Sequence, residues 1–263
     1  MMHIRFLSCR RLALLLLPLA LLSCQRDPME GGFNFSFSFS FEGEPLSYDS
    51  IVYTIASGNQ IRVSNIQYFI SDVALVDNAG NRHRFQDSAN QIHYIDSDIP
   101  TTLHWETGEA FETGVYQYIE FTYGLDSLTN RNYIFRNPPE SDMFWPEALG
   151  GGYHYMKLNG YWRNAEDSLS DQWETFGFHA GIGQTWQGET AVAFHQNYRR
   201  LTDTVRIFLT EGETRELSLN MEVAEWFRDP HVWDFNEFGG AVMQNQEAQQ
   251  VIKDNATGVF SVR

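Results

Sequence analysis

A strict alternation of phenylalanine with small polar residues runs from Phe33 to Phe41. Successive side chains of a β-strand point to opposite faces, so all five phenylalanines of this run would lie on one face. A face made only of large apolar rings needs a second layer to cover it. The run therefore predicts a strand whose phenylalanine face packs in the core of a β-rich domain.

Further runs of alternating apolar and polar residues follow along the chain. The longest covers residues 61–76 and ends at Asp77-Asn78-Ala79-Gly80-Asn81, which is typical of a hairpin turn. Shorter strands are predicted at 47–55, 91–95, 111–124, 189–195, 203–209 and 216–223. Residues 247–255 have helical spacing instead. We predict one all-β domain over residues 33–263, an antiparallel β-sandwich with a short C-terminal helical or irregular segment.

The N-terminal residues 1–23 have the features of a lipoprotein signal peptide. Three arginines precede an apolar run over residues 12–22, which is too short to span a bilayer. Leu21-Leu22-Ser23-Cys24 then matches a lipobox, in which the chain is cleaved before Cys24 and the thiol receives lipid. Residues 24–32 are polar and predict a tether between the lipid and the domain.

Lipidation of Cys24 would hold the protein at the cell envelope. Attachment of more than one acyl chain gives stable anchoring, whereas a single chain is marginal. Gln25 stands where an aspartate would favour retention in the inner membrane. The expected location is therefore the outer membrane, on its periplasmic or surface side.

Composition excludes several kinds of site. Cys9 lies in the predicted leader and Cys24 would be lipidated, so no cysteine remains for a thiolate metal site, a nucleophile or a disulfide. Without the leader, 15 Lys and Arg stand against 34 Asp and Glu, a net charge near −19. Nucleic acids and anionic membrane surfaces need cationic contacts, so neither is an expected partner of the domain.

Common catalytic motifs are missing from the sequence. It contains no Gly-x-Ser-x-Gly, no His-Glu-x-x-His, no Walker loop and no dinucleotide-binding glycine motif. Carboxylates are abundant, but no pair stands out as the acid and base of a glycosidase. We therefore predict that the protein is not an enzyme.

The segment from Ser141 to Trp186 contains the strongest candidate site. His154 lies between two tyrosines in an alternating run, and His179 follows a second aromatic run. If the two runs pair as antiparallel strands, their imidazoles come close together among tryptophans. Neutral imidazole is a good ligand for copper or zinc, so the pair predicts a metal site. The alternative is that both are half-exposed strand residues without a ligand.

Five more histidines follow the leader. His195 closes a predicted strand and is the third candidate ligand, and His231, in a tryptophan-rich tail, is the fourth. A copper site would need about two to four nitrogen or oxygen donors. His83, His93 and His104 are predicted to be surface or edge residues.

Several of these motifs resemble a known family. Met143-Phe144-Trp145-Pro146, the Gly-Tyr-x-Tyr-x-Lys-x-x-Gly run from Gly152 and the Phe-His-x-Gly run from Phe178 are similar to the MbnP-like copper-binding proteins, the methanobactin-partner group. Shorter similarities occur at 63–73, 114–126, 225–227 and 254–256. A cysteine-containing subgroup places its cysteines after the Phe-His-x-Gly strand. This chain has none there, so it resembles the cysteine-free branch.

The resemblance implies a copper-binding protein, which with the predicted lipid anchor would handle metal at the cell envelope. It also implies a di-haem peroxidase partner, which oxidises a tryptophan to kynurenine and so helps to create the copper site. Trp145 is the first candidate for this modification, ahead of Trp162 and Trp186. Each of these tryptophans could equally fill the core of the sandwich.

Two other functions are compatible with the same sequence. A carbohydrate- or protein-binding surface lipoprotein would carry a row of exposed tryptophans on one face and would not depend on metal. An inert structural module would show neither such a row nor a metal site. The copper-binding function predicts histidines that converge near a tryptophan.

Overall fold

The fold is described from a computed structural model over residues 29–85, 91–164 and 172–263. The predicted signal peptide, Cys24 and most of the predicted tether lie outside these residues. Within them the strands in chain order are β1 (Glu30–Phe41), β2 (Glu44–Pro45), β3 (Tyr53–Thr54), β4 (Gln60–Asp77), β5 (Arg82–Arg84), β6 (Ile92–Asp96), β7 (His104–Glu112), β8 (Gly114–Tyr123), β9 (Met156–Arg163), β10 (Glu174–Ala180), β11 (Gly183–Gln187), β12 (Thr190–His195), β13 (Arg199–Leu209), β14 (Thr214–Glu222) and β15 (Phe260–Val262). The helices are α1 (Phe235–Phe238) and α2 (Gln246–Val259), and short 3₁₀ turns cover Pro100–Leu103, Glu140–Met143, Glu147–Leu149 and Val223–Phe227.

These strands form two main sheets, and the prediction of an all-β sandwich is confirmed. The first sheet has the order β15-β14-β1-β2, and β7 also pairs with β1. The second has the order β10-β9-β4-β8-β13, with β3, β5 and β6 also paired to β4. Pairing is antiparallel apart from β1 and β14, which run parallel. Strands β11 and β12 form a separate hairpin.

The phenylalanine stripe of β1 lies in the core, as predicted. Phe33, Phe35, Phe37 and Phe41 are buried, and Phe39 packs against the same core. Phe35 stacks on Trp105 at 5.1 Å between ring centres and meets Phe85 edge-on at 5.2 Å. Aromatic pairs of this kind add about 0.5–1.5 kcal/mol beyond the burial of their area. The stripe meets the second sheet at Phe85, which follows β5, and at Tyr68 on β4, whose ring lies 6.2 Å from that of Phe39.

Strand β4 is the central strand of the second sheet and confirms the predicted run at 61–76. Its register shifts between Val63 and Asn65 where it pairs with β9. It shifts again between Ser71 and Ala74 where it pairs with β8. Bulges of this kind bend a strand and redirect side chains. The first shift places Asn65 opposite Asn159 of β9.

Three boundaries differ from the predictions. Strand β1 begins at Glu30, inside the predicted tether. The strand predicted at 47–55 was wrong apart from β3, because Asp49 adopts a positive φ and the following Ile51 and Val52 are exposed. The predicted strand region 111–124 is divided between the sheets: the chain leaves the first sheet at the end of β7 and enters the second as β8.

Helix α2 confirms the predicted C-terminal helix and extends it. Its N-cap is Asn245, whose Oδ1 accepts a hydrogen bond from the backbone N–H of Ala248. Ala248, Ile252 and Ala256 recur every four residues and are buried, so one face of the helix packs on the domain. Across the three described ranges, no helix has the length and apolar character needed to cross a membrane.

Candidate metal centre

The pairing of β9 with β10 brings the two predicted histidines together. His179 on β10 lies opposite Lys157 on β9. The pairing continues one step beyond β9, where the N–H of Tyr155 donates to the carbonyl of Ala180 at 2.8 Å. His154 therefore lies just outside the strand and not within it, and it is buried. His179 is half-buried and lies within β10. The alternative of a half-exposed strand residue therefore fits His179 and does not fit His154.

The imidazoles of His154 and His179 are in contact. Their ring centres are 5.1 Å apart and the rings are nearly perpendicular, at 85°. The ring of Trp145 meets His154 edge-on at 4.7 Å. The prediction that the two imidazoles come close together beside a tryptophan is thus confirmed.

Trp145 is fully buried beside this pair. Its Nε1 donates to the carbonyl of Leu149 at 3.0 Å. A Cβ on Gly181 would lie 2.5 Å from the indole ring, so only glycine allows β10 to end this close to it. Trp162 instead stacks on Phe235. Within the described ranges, Trp145 is the tryptophan whose ring contacts the histidine pair.

The loop that contains Asn130 and Asn132, here called the asparagine loop, fixes the backbone that precedes His154. Asn130 Oδ1 accepts from the N–H of Tyr153 at 2.8 Å, and Asn132 Oδ1 accepts from the N–H of Gly152 at 2.5 Å. Gly152 has φ of +77°, and a Cβ there would lie 2.3 Å from Asn130 Oδ1. A larger residue would therefore displace the loop that fixes the backbone before His154.

Helix α2 supports the other histidine. Gln249 is completely buried; its Nε2 donates to the carbonyl of His179 at 2.6 Å and its Oε1 accepts from the N–H of Gly181 at 3.0 Å. Sequence reasoning missed this residue. Its position directly after Ala248, at the border of the apolar face of the predicted helix, was the sequence signal that Gln249 could be buried.

The hydrogen bonds of His154 determine which of its nitrogens is free. Nδ1 lies 2.9 Å from the carbonyl oxygen of Met143. A carbonyl only accepts, so Nδ1 carries the proton and the neutral ring has its lone pair on Nε2. Nε2 is buried and has no hydrogen-bond partner among the described residues. Among the described residues eleven buried side-chain atoms lack a partner, and Nε2 of His154 is the one imidazole nitrogen among them. It therefore carries the kind of lone pair that copper and zinc bind.

Both histidines are neutral at physiological pH. Burial, followed by the nearby His179 and Lys157, lowers the pKa of His154 to about 3. Burial and then Lys157 lower the pKa of His179 to about 4. Burial also lowers the pKa of Lys157 itself, whose Nζ donates to the carbonyl of Asp142 at 2.6 Å. Imidazole must be unprotonated to bind a metal, so the pair is in the competent state.

An open cleft leads to the pair. His179 lines a cleft of about 640 Å³ together with Thr175, Gly177, Gly240, Ala241, Met243 and Gln244. Gly177 and Gly240 contribute no side chains there. A small solute can therefore reach His179 from solvent, whereas His154 is buried and does not line the cleft.

The other candidate ligands lie elsewhere. Nε2 of His195 lies 2.7 Å from the hydroxyl of Thr185 in the β11–β12 hairpin. Nε2 of the exposed His231 lies 3.5 Å from a carboxylate oxygen of Asp254 on α2. Across the described part of the chain, no group of three or more His, Cys, Asp or Glu side chains is arranged to hold a metal. His195 and His231 therefore do not complete a three-ligand site with the pair.

The histidines predicted at the surface or an edge divide into two groups. His104 is exposed, and His83 lies near the surface against Asp77, with 3.0 Å between Nε2 and the carboxylate. His93 is half-buried: its ring is stacked between Phe37 at 4.9 Å and Trp105 at 5.1 Å. Strand β6 lies over the phenylalanine face of β1, which gives this ring a packing role.

The tryptophans do not form an exposed row. Five of the seven are buried, namely Trp105, Trp145, Trp162, Trp226 and Trp233. Trp173 and Trp186 are half-buried. The guanidinium carbons of Arg62 and Arg163 lie 4.2 and 4.5 Å from the centre of the Trp173 ring. The tryptophans therefore do not form the exposed surface on which a carbohydrate-binding sandwich would stack sugar rings.

Comparison with known proteins agrees with the resemblance in the sequence. Residues 30–245 match the family model described as MbnP. The chain belongs to the MbnP family. A solved structure, MbnP from Methylosinus trichosporium, is similar with a TM-score of 0.56 over 87% of this chain and 96% of that one, at 12% sequence identity. At this identity the structural similarity shows the fold alone. No curated protein sequence matches the chain.

The two rings are close enough for one metal ion to bind both, and their donor atoms have suitable chemistry. Metal–nitrogen bonds are about 2 Å long, so two imidazoles on one ion have ring centres at most about 6 Å apart. The observed 5.1 Å lies inside this limit. The unpartnered Nε2 of His154 supplies a lone pair, and Met143 fixes that ring from the other side, as the partners of metal-binding histidines do. Imidazole donors without thiolate suit copper and zinc.

The lowered pKa values predict a specific pH dependence of stability. Between about pH 6.5 and pH 4 the unfolded chain binds protons at His154 and His179 that the folded protein does not bind. The free energy of unfolding of the metal-free protein should therefore fall as pH falls through this window, by up to about 1.4 kcal/mol per pH unit for each histidine. Urea unfolding at a series of pH values measures the slope, and His154→Phe should reduce it. Titration of either ring between pH 6 and 7 by NMR would contradict the prediction.

Proposed function

We propose that this protein is a lipid-anchored copper-binding protein of the cell envelope, which handles the metal without catalysing a reaction. The observation that carries the proposal is the buried, unpartnered Nε2 of His154, in a ring whose centre lies 5.1 Å from that of His179. Membership of the MbnP family supports copper as the metal. The cleft beside His179 supports reversible loading.

His154 and His179 are the residues that would hold the metal. Copper bound there would gain two neutral nitrogen donors and would give Nε2 of His154 the partner that it lacks. Met143 and the asparagine loop hold His154 in place, and Gln249 does the same for His179. A preformed pair of this kind binds metal at a low cost in ordering, because its side chains are already in position.

Copper binding can be tested with paired histidine variants. The 25–263 protein should bind about one Cu(I), measured by competition with a chromogenic chelator. His154→Ala and His179→Ala should each weaken binding at least about 10-fold, because each removes one of two donors. His104→Ala is the matched control, since this histidine is exposed and outside the site. Equal affinity in all four proteins would refute the assignment.

We further propose that Trp145 is modified by a di-haem peroxidase partner. Its ring already touches His154, so conversion to kynurenine would create a ketone and an aromatic amine near the pair. The indole is 0% exposed, which means that the partner must oxidise it without direct contact. The protein is then the substrate of the oxidation and not its catalyst.

Mass spectrometry tests the modification of Trp145. The protein isolated from its native host, or treated with the peroxidase and hydrogen peroxide, should yield a peptide in which kynurenine replaces Trp145. The buried Trp233 is the matched internal control, because it packs against Phe178 and Phe238 and away from the histidine pair. Unmodified Trp145 in both preparations, or equal modification of Trp233, would count against the proposal.

Anchoring through Cys24 is the proposed means of location in the outer membrane. Cys24→Ser should release the protein from the membrane fraction and leave its leader uncleaved or cleaved elsewhere, because the lipidated thiol is lost. Fractionation with metabolic labelling by a palmitate analogue measures both effects. Unlabelled wild-type protein in the soluble fraction would disprove the anchor.

A further inference from the structure

Two asparagines connect His179 to the central strand. Nε2 of His179 lies 2.8 Å from Oδ1 of Asn159, and Nδ2 of Asn159 donates to Oδ1 of Asn65 at 2.9 Å. Asn159 is on β9 and lies opposite Gly177, two residues before His179 on β10. Asn65 is on β4 and lies opposite Asn159. The three side chains form a continuous polar chain across three neighbouring strands.

The bulge in β4 makes this chain possible. The register of β4 against β9 shifts by one residue between Val63 and Asn65. Without that shift Asn65 would not lie opposite Asn159, since a one-residue slip exchanges the two faces of a strand. The chain also requires a glycine at position 177, because a Cβ there would lie 2.9 Å from Nε2 of His179. The ring therefore lies over a glycine and points its Nε2 at the amide.

This contact leaves one nitrogen of His179 for a ligand. Nε2 is occupied by the side chain of Asn159, whereas Nδ1 has no hydrogen bond to any described residue. A ring that binds a metal through Nδ1 must carry its proton on Nε2, and that proton needs an acceptor. Asn159 Oδ1 is such an acceptor when its own amide group donates to Asn65, as observed.

Building on the proposed copper site, we propose that Asn159, oriented by Asn65, is a positioning residue that holds His179 in the Nε2–H tautomer and makes Nδ1 its ligand atom. The two histidines would then bind through different nitrogens, Nε2 of His154 and Nδ1 of His179. In each ring the other nitrogen donates to an oxygen, from Met143 in one case and from Asn159 in the other.

Nitrogen NMR of the histidine rings tests the tautomer without any metal. With ¹⁵N-histidine at pH 7, His179 should show the Nε2–H pattern in the wild type. Asn159→Ala should shift it towards Nδ1–H, and Asn65→Ala should give a smaller shift because the Asn159 amide can then turn over. Asn159→Asp keeps an oxygen acceptor and should retain Nε2–H. Asn220→Ala is the matched control, a half-buried asparagine on β14 whose bonds go to Ser38 and Ser40.

Loading with diamagnetic Cu(I) tests the ligand atoms. The ¹⁵N signals of Nδ1 of His179 and Nε2 of His154 should move, while Nε2–H of His179 persists. Asn159→Ala should lower the Cu(I) affinity by about 10- to 100-fold, the usual effect of removing the partner of a metal-binding histidine. Asn159→Asp should restore it, and Asn220→Ala should match the wild type.

Different outcomes refute the role of Asn159 and the copper site. If the wild type binds Cu(I) and Asn159→Ala changes neither tautomer nor affinity, the role of Asn159 is refuted and the copper site stands. Movement of Nε2 of His179 on loading would overturn the assigned ligand atom. If wild type and Asn220→Ala bind no Cu(I), the copper site fails and the ligand role of His179 fails with it.

Discussion

The antiparallel pairing of β9 with β10 is the constraint on which the candidate site depends. It sets His179 opposite Lys157 and, one step beyond the strand, holds Tyr155 against Ala180. His154 is thereby carried to the ring of His179. Close packing then needs particular small residues, because a side chain at Gly181 would strike Trp145. Strand pairing thus determines both the distance between the imidazoles and their burial.

Burying the imidazole of His154 costs free energy that its contacts with the described residues do not offset. Its Nδ1 is satisfied by Met143 and its Nε2 is not satisfied by any described residue. An unsatisfied buried group costs about 1–3 kcal/mol. Burial also keeps both rings neutral, and a sequence selected only for stability would place an apolar side chain at 154. A ligand bound to the lone pair of Nε2 would offset this cost.

Local patterns predicted much of the fold, and long-range pairing did not follow from them. The stripe at Phe33–Phe41, the run at 61–76 and the C-terminal helix have clear periods, and each was confirmed. Strand 47–55 was wrong because a turn at Asp49 overrides its apolar residues. The parallel pairing of β1 with β14 joins residues far apart in sequence, for which periodicity has no signal. The proximity of His154 and His179 was predictable from two adjacent strands, whereas the roles of Asn65, Asn159 and Gln249 depend on register and helix docking.

X-ray absorption spectroscopy of the Cu(I)-loaded protein tests the central claim most directly, since it reports the donors around the metal. The account predicts scattering from two imidazole rings in the wild type and from one in His154→Ala. Oxygen donors without imidazole scattering, unchanged in His154→Ala, would show that copper binds to the acidic surface and would contradict the account.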